Sequence, residues 1–174
     1  DKNGSLVGII TRNDLVKASP SEATTLDMFE LGYLLSKLTV EKAMKKDVKT
    51  VHENETVENA ASLMRDYSVG SLVVLKDDLM VGIITETDLF ECFIEMFKTK
   101  TEGIRVTLIL DEKPGQIAKL SALIAEASGN IVSMVTADTI ENNARKVIVK
   151  ITNITEDQFR KIAVACDAKI EDIR

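Results

Sequence analysis

Apolar and polar positions along this chain form one arrangement twice. Leu6-Val7-Gly8-Ile9-Ile10-Thr11-Arg12-Asn13-Asp14-Leu15 returns as Met80-Val81-Gly82-Ile83-Ile84-Thr85-Glu86-Thr87-Asp88-Leu89, an offset of 74 residues from Gly8 to Gly82. A short apolar run ending in Thr-x-x-Asp ahead of an amphipathic stretch predicts a buried strand that leads into a capped helix. The Gly inside the run admits close approach to the backbone. A repeat of this kind marks a duplicated module.

The rest of the pattern fills in around the two copies. A helix starting at 15–18 is interrupted by Ser19-Pro20-Ser21, since Pro disfavours helix at its predecessor. Residues 25–37 carry Leu26, Phe29, Leu31, Leu34, Leu35 and, just beyond, Leu38, a helical spacing that predicts a connector between modules. The second copy is complete: a helical turn over 40–44, an extended piece over 48–51, and a helix behind the N-cap Thr56 with Val57, Ala60, Ala61, Met64 and Tyr67 on one face. Strands over 71–75 and 79–84 follow, joined at Lys76-Asp77-Asp78, and a helix begins at Thr87-Asp88. The first copy lacks this preamble. The segment matching 42–77 would precede residue 1, and Asp1-Lys2-Asn3-Gly4 reads as a hairpin turn with one strand missing, so the first module is expected to be incomplete at its N-terminus.

Polar residues 98–103 end in Gly103 and mark the expected domain boundary. Beyond it Ile104, Val106, Leu108 and Leu110 alternate with Arg105, Thr107 and Ile109, a half-buried strand. A turn at 111–115, a helix with Ile117, Leu120, Leu123, Ile124 and Ala127 stopped by Gly129, and a strand over 131–137 come next. A long turn over 138–145 leads to a strand over 146–151. The capping box Thr155-Glu156-Asp157-Gln158 then opens a helix that runs to Cys166, and a strand over 168–173 closes the order. The order βαββαβ predicts an antiparallel sheet with both helices on one face, a ferredoxin-like layout. The fold class is therefore α+β, in three parts: 1–38, the end of a first module with its connecting helix; 39–98, a second module; and 104–174, the ferredoxin-like domain.

Composition excludes some functions. The formal net charge of −6 argues against nucleic acid as a partner, which needs a basic face. No apolar run reaches the ~18–20 residues of a membrane span, and no basic-then-apolar leader precedes the first repeat, so a cytoplasmic chain is expected. Cys92 and Cys166 stand alone among helical apolar positions and read as reduced, buried thiols rather than a disulfide. His52 has no metal-ligating or catalytic company, and Lys45-Lys46 reads as a solvated pair. Phe90, Phe93, Met96 and Phe97 read as core or dimer interface. Walker loops, nucleophile elbows, paired metal ligands and Cys/His couples are all absent, so no catalytic residue and no metal site is assigned and the chain is read as a non-enzyme.

The two Gly-Ile-Ile-Thr-x-x-Asp-Leu phrases and the module around the second resemble cystathionine-β-synthase (CBS) domains, which pair into Bateman modules. Residues 104–174, through Asp111-x-Lys113-Pro114-Gly115 and Gly129-Asn130-Ile131, resemble an ACT domain, an amino-acid-sensing fold. The CBS–CBS–ACT order, with Tyr33-Leu34-Leu35-Ser36-Lys37-Leu38 in the connector, is similar to AcuB-type proteins named for acetoin utilisation. The CBS resemblance implies an adenine nucleotide or S-adenosylmethionine between modules, held as a regulatory ligand with no cofactor required. Thr11, Asp14, Thr85 and Asp88 would contact ribose and phosphate, and Arg12 would add phosphate charge. The adenine would meet Thr50, Val51, Val69, Gly70, Ser71 and Leu72. Glu86, standing where the first phrase has Arg12, disfavours a polyphosphate at the second site. The ACT resemblance implies an amino-acid-like effector at Asp111, Lys113, Pro114, Gly115 and Gln116, with Asn130 and Ile131 from a neighbouring subunit.

Each of these residues also has a plainer reading. Asp14 and Asp88 serve as helix caps, residues 111–115 as a strand–helix turn, and Gly129-Asn130 as a helix stop. Two functions follow: a homodimeric sensor of adenosyl ligands acting on an unknown protein target, or a dimerisation scaffold without ligand.

Overall fold

The computed structural model describes residues 1–2, 4–19, 27–140 and 143–174. Asn3 of the expected turn, the break at Pro20 and Ser21, the helix start at Thr25 and Leu26, and positions 141 and 142 of the long hairpin lie outside the described residues. In the described chain, α1 is Arg12–Ala18, α2 Met28–Ser36, α3 Val40–Ala43, β1 Thr50–His52, α4 Val57–Tyr67, β2 Ser71–Lys76, β3 Leu79–Thr85 and α5 Glu86–Met96. They are followed by β4 Ile104–Asp111, α6 Gln116–Glu126, β5 Asn130–Asp138, β6 Ala144–Thr152, α7 Glu156–Ala165 and β7 Lys169–Ile173. Contacts divide the chain into Asp1–Leu89 and Phe90–Arg174, within α5.

In the first unit β1 runs parallel to β2, and β2 antiparallel to β3. Asp77 and Asp78 both take positive φ, 46° and 62°, the geometry whose twist matches a two-residue hairpin. Thr56 caps α4 by accepting from the Asn59 N–H at 3.2 Å. Val51, Ala60, Met64, Leu72 and Leu89 close over one another as the core, with Val69 and Ile84 packed against them.

One expectation for this unit is corrected. The apolar run at 6–10 does not form a strand; it makes a single antiparallel bridge between Ile9 and Lys45. Beyond that bridge, no strand among the described residues pairs with it. The connector helix forms, capped by Asp27 accepting from Phe29 and Glu30, but buries none of its residues. Met28 and Phe29 stay 83% and 89% exposed.

The second unit has the expected βαββαβ order, with strands arranged β5-β6-β4-β7 and every pairing antiparallel. Alternation along β4 works as the period requires: Val106, Leu108 and Leu110 enter the core with Val147, Val149 and Ile151 of β6, beneath Leu120, Ile124, Phe159 and Ile162 of α6 and α7. Thr155 and Gln158 form the expected capping box. Gly129 differs from its expected role. The left-handed residue that stops α6 is Ser128, φ 63°. A Cβ on Gly129 would stand 2.8 Å from Ile124 Cγ2 and 2.9 Å from Ile154 Cγ2, so the glycine is required by packing. Both cysteines are free; Cys166 is buried and Cys92 is half-buried.

Candidate functional site

The two Thr-x-x-Asp phrases fold alike. In the first, Thr11 donates to Asp14 Oδ2 from its hydroxyl at 2.6 Å and from its backbone N–H at 2.9 Å. In the second, Thr85 donates to Asp88 Oδ2 from both groups at 2.7 Å. Each threonine accepts the backbone N–H of its aspartate in return, at 3.4 Å. Hydrogen bonding from the Thr11 hydroxyl holds the Asp14 carboxyl below its ordinary value, and that of Thr85 does the same for Asp88.

The copies part at the second carboxylate oxygen. Asp14 is 6% exposed, and Lys45 Nζ stands 3.1 Å from its Oδ1. Asp88 is exposed, and its Oδ1 has no protein partner among the described residues. Lys45 is thus the cation of a buried carboxylate rather than one of a solvated pair. The Ile9–Lys45 bridge, with N–H to carbonyl distances of 2.9 and 2.8 Å, brings it there.

A cleft of about 550 Å³ opens between these phrases and the turns that enter β1 and β2, within the usual size of small-molecule sites. Of the residues expected to bind a nucleotide, it gathers Thr11, Val69, Gly70, Ser71 and Thr85. Arg12, Asp14 and Asp88 do not line it; Asp88 adjoins it through its bonds to Thr85. Leu72 is fully buried in the core. Thr50 and Val51 line a separate recess with His52 and Leu75.

Sequence reasoning missed Asn13, Lys17, Lys45, Asp47 and Lys49, all of which line the cleft. Asp47 accepts from Lys49 Nζ at 2.8 and 3.0 Å, which raises the lysine's pKa, and the same ammonium stands 4.8 Å from the Tyr67 ring centre. Lys17 carries no partner among the described residues. A lysine run in sequence gives no sign of which carboxylate it will meet; the signal available was Asp14 itself, a cap residue with a second oxygen to satisfy.

In the second unit, the turn from β4 to α6 frames a recess of about 180 Å³ lined by Asp111, Lys113, Pro114 and Gln116, among others. Lys113 pairs with Asp111 at 2.7 Å and Arg145 pairs with Glu112. Gly115 takes φ 91° and caps α6 without a side chain. The buried Gln116 Oε1 has no partner. Asn130 and Ile131 lie at the opposite end of the sheet, where Asn130 pairs with Thr152 while Asp111 pairs with Ala144.

The family model described as "CBS domain" matches residues 40–95. A CBS domain-containing protein of Dictyostelium discoideum is 33% identical over 99 residues, covering 56% of this chain and 68% of that protein. The chain belongs to the CBS domain proteins. An uncharacterized protein of Methanocaldococcus jannaschii is 33% identical over 58% of this chain and 22% of its own length. A homoserine O-acetyltransferase of Methanococcus vannielii is 28% identical over 70% of this chain and 28% of its own. The chain thus spans less than a third of either. Among solved structures, the CBS domain pair of protein MJ0100, in complex with 5′-methylthioadenosine and S-adenosylmethionine, is 34% identical, with a TM-score of 0.42 over 53% of this chain and 67% of that one. Among the described residues of this CBS protein, no group of three His, Cys, Asp or Glu is placed to hold a metal, and no helix is long and apolar enough to cross a membrane.

Proposed function

We propose that this chain is a regulatory sensor of an adenosyl ligand, AMP, ATP or S-adenosylmethionine, taken at the cleft of Asp1–Leu89. The carrying observation is the difference between the two phrases. Asp14 spends both oxygens on Thr11 and Lys45, whereas Asp88 keeps Oδ1 uncommitted beside a threonine that lines the cleft. A carboxylate with a free oxygen accepts ribose hydroxyl protons. The second phrase is therefore the ribose site and the first a structural cap. Sensing follows when the ligand prefers one arrangement of the protein over another.

Isothermal titration with AMP, ATP and S-adenosylmethionine tests this. One of the three should give saturable heat that Asp88→Ala loses and Lys45→Met, altered at the first phrase, weakens less. Equal binding by Asp88→Ala, or no heat from any of the three, refutes it.

Residues 104–174 are read in the same proposal as an ACT domain, within an AcuB-type architecture. The orphan Gln116 Oε1 supports an effector with an N–H donor, and the uncapped first turn of α6 supports a carboxylate. The recess is small, which favours a small amino acid. A structural or partner-binding dimerisation scaffold without ligand is the second reading, favoured by the exposed Met28, Phe29, Tyr33 and Leu34 of α2. The titration separates the two readings, and sedimentation of wild type and Phe29→Glu tests the dimer that both require: a dimer through α2 dissociates in the variant.

A further inference from the structure

The second unit contains a recess that the sensor reading leaves unused. Phe93 and Phe97, one helical turn apart and so on one face, stand with Ile94 across about 570 Å³ from Arg105, Lys150 and Arg174. Sequence places the two walls. Along β4 and β6 the alternate residues Val106, Val149 and Ile151 enter the core, which turns Arg105 and Lys150 to the opposite face. Left-handed Lys98, φ 48°, ends the α5 helix, and the Ser133 hydroxyl donates to the Met96 carbonyl at 2.8 Å, fixing the helix end to β5. Gly103, φ 122°, packs against the Ile151 carbonyl, where a Cβ would collide.

The charge on this recess is unbalanced. Arg105 and Lys150 are direct register partners, and like charges opposite one another destabilise a sheet. Asp172 answers Arg105 at 3.6 Å and Arg174 at 2.8 Å; Lys150 has no carboxylate partner among the described residues. Three cationic side chains thus meet one side-chain carboxylate, in a chain of net charge −6. The volume lies in the range of small-molecule sites. A second copy docking the same face symmetrically would set this basic rim against itself.

We propose that the recess binds a small amphipathic organic anion, with its apolar body on Phe93, Ile94 and Phe97 and its negative head at Lys150 and Arg105. None of its residues lines the cleft proposed for the adenosyl ligand.

Anilinonaphthalene sulfonate, an aromatic anion, is the probe. Titrated against the full chain, it should give saturable emission, with decanoate displacing it at roughly tenfold lower concentration than decanol, as a lost charge contact of ordinary strength implies. Lys150→Glu should weaken dye binding at least about tenfold while the melting temperature holds or rises, because a like-charge pair becomes an opposite one. That combination separates loss of a binding group from loss of fold. Arg174→Glu, at an exposed position, should weaken it in the same direction and carries the test if Lys150→Glu misfolds. Unchanged dye binding in both variants, or equal displacement by decanol, overturns the proposal. So does dye release as the protein self-associates on concentration, which would assign the face to a second copy.

Discussion

Leu72→Ala tests the packing that holds the cleft of Asp1–Leu89 in place. Leu72 is fully buried on β2, between the Val51 strand and the helices that supply Ala60, Met64 and Leu89. Leu→Ala at such sites costs about 2.7–5 kcal/mol, rising with the cavity that remains. Here β2 is hydrogen-bonded on both sides, Leu72 itself opposite Ile84 and Val73 opposite Thr50, so the strand cannot move inward and the cavity persists. The loss should lie in the upper half of that range, about 4 kcal/mol. A unit of this length is worth roughly 4–13 kcal/mol in total, and a core this small places it at the lower end. Urea unfolding is the assay. The chain has no Trp and two Tyr, Tyr33 and Tyr67, both within Asp1–Leu89, so tyrosine emission follows this unit. With an m-value of about 1–3 kcal/mol/M, the midpoint should fall by roughly 2 M. Leu72→Met, which conserves volume, should cost under about 1.5 kcal/mol. A Leu72→Ala loss below about 1 kcal/mol would refute the closed packing of β2 beneath α4 and α5.

Further outcomes follow from other sites. Gly129→Ala should cost about 1–3 kcal/mol by overpacking against Ile124 and Ile154, measured by circular dichroism melts; a neutral result would mean that these side chains yield. Thr11→Val removes the hydroxyl that depresses Asp14. Stability from a lowered carboxyl is full above the unfolded pKa near 4 and fades as pH falls through the folded value beneath it. The wild-type advantage over Thr11→Val should therefore be constant at neutral pH and shrink in acid; a difference independent of pH down to about 2 would contradict the bond. Burial raises the Cys166 thiol, so Cys92 should react with a disulfide reagent in the native protein while Cys166 waits for unfolding. Simultaneous reaction of both would place Cys166 outside the core.

Local rules made most of the fold legible. The alternation along β4, the capping boxes at Thr11 and Thr155 and the two-residue turn at Asp77-Asp78 depend on near neighbours, and each forms as its residues require. What escaped depends on distant partners. A strand needs a mate, and Val7-Gly8-Ile9-Ile10 has the composition of β3 without the hairpin that would pair it. Period marks α2 as a helix with an apolar side but cannot say whether anything covers it. Gly129 was legible as a helix stop, yet its reason lies in Ile154, twenty-five residues away.

The candidate site shows the same limit more sharply. Thr-x-x-Asp is identical in both copies, and both fold into the same double hydrogen bond. Backbone capping uses one carboxylate oxygen and leaves the other undetermined. The fate of that second oxygen depends on what the fold brings near it: Lys45 through a bridge at Ile9 in one copy, and no protein group among the described residues in the other. A motif read from sequence therefore specifies the cap in both places and a binding group in neither. If the lysine is what closes the first phrase, Lys45→Met should free Asp14 Oδ1 without disturbing the cap. The buried carboxylate, having lost its cation, should then titrate at higher pH than in wild type. Carbon-detected NMR of the aspartate carboxyls reads both copies in one experiment. A shift at Asp14 with Asp88 unmoved supports the division of roles; an unmoved Asp14 would mean that Lys45 does not occupy the oxygen and that the two phrases are equivalent as binding sites.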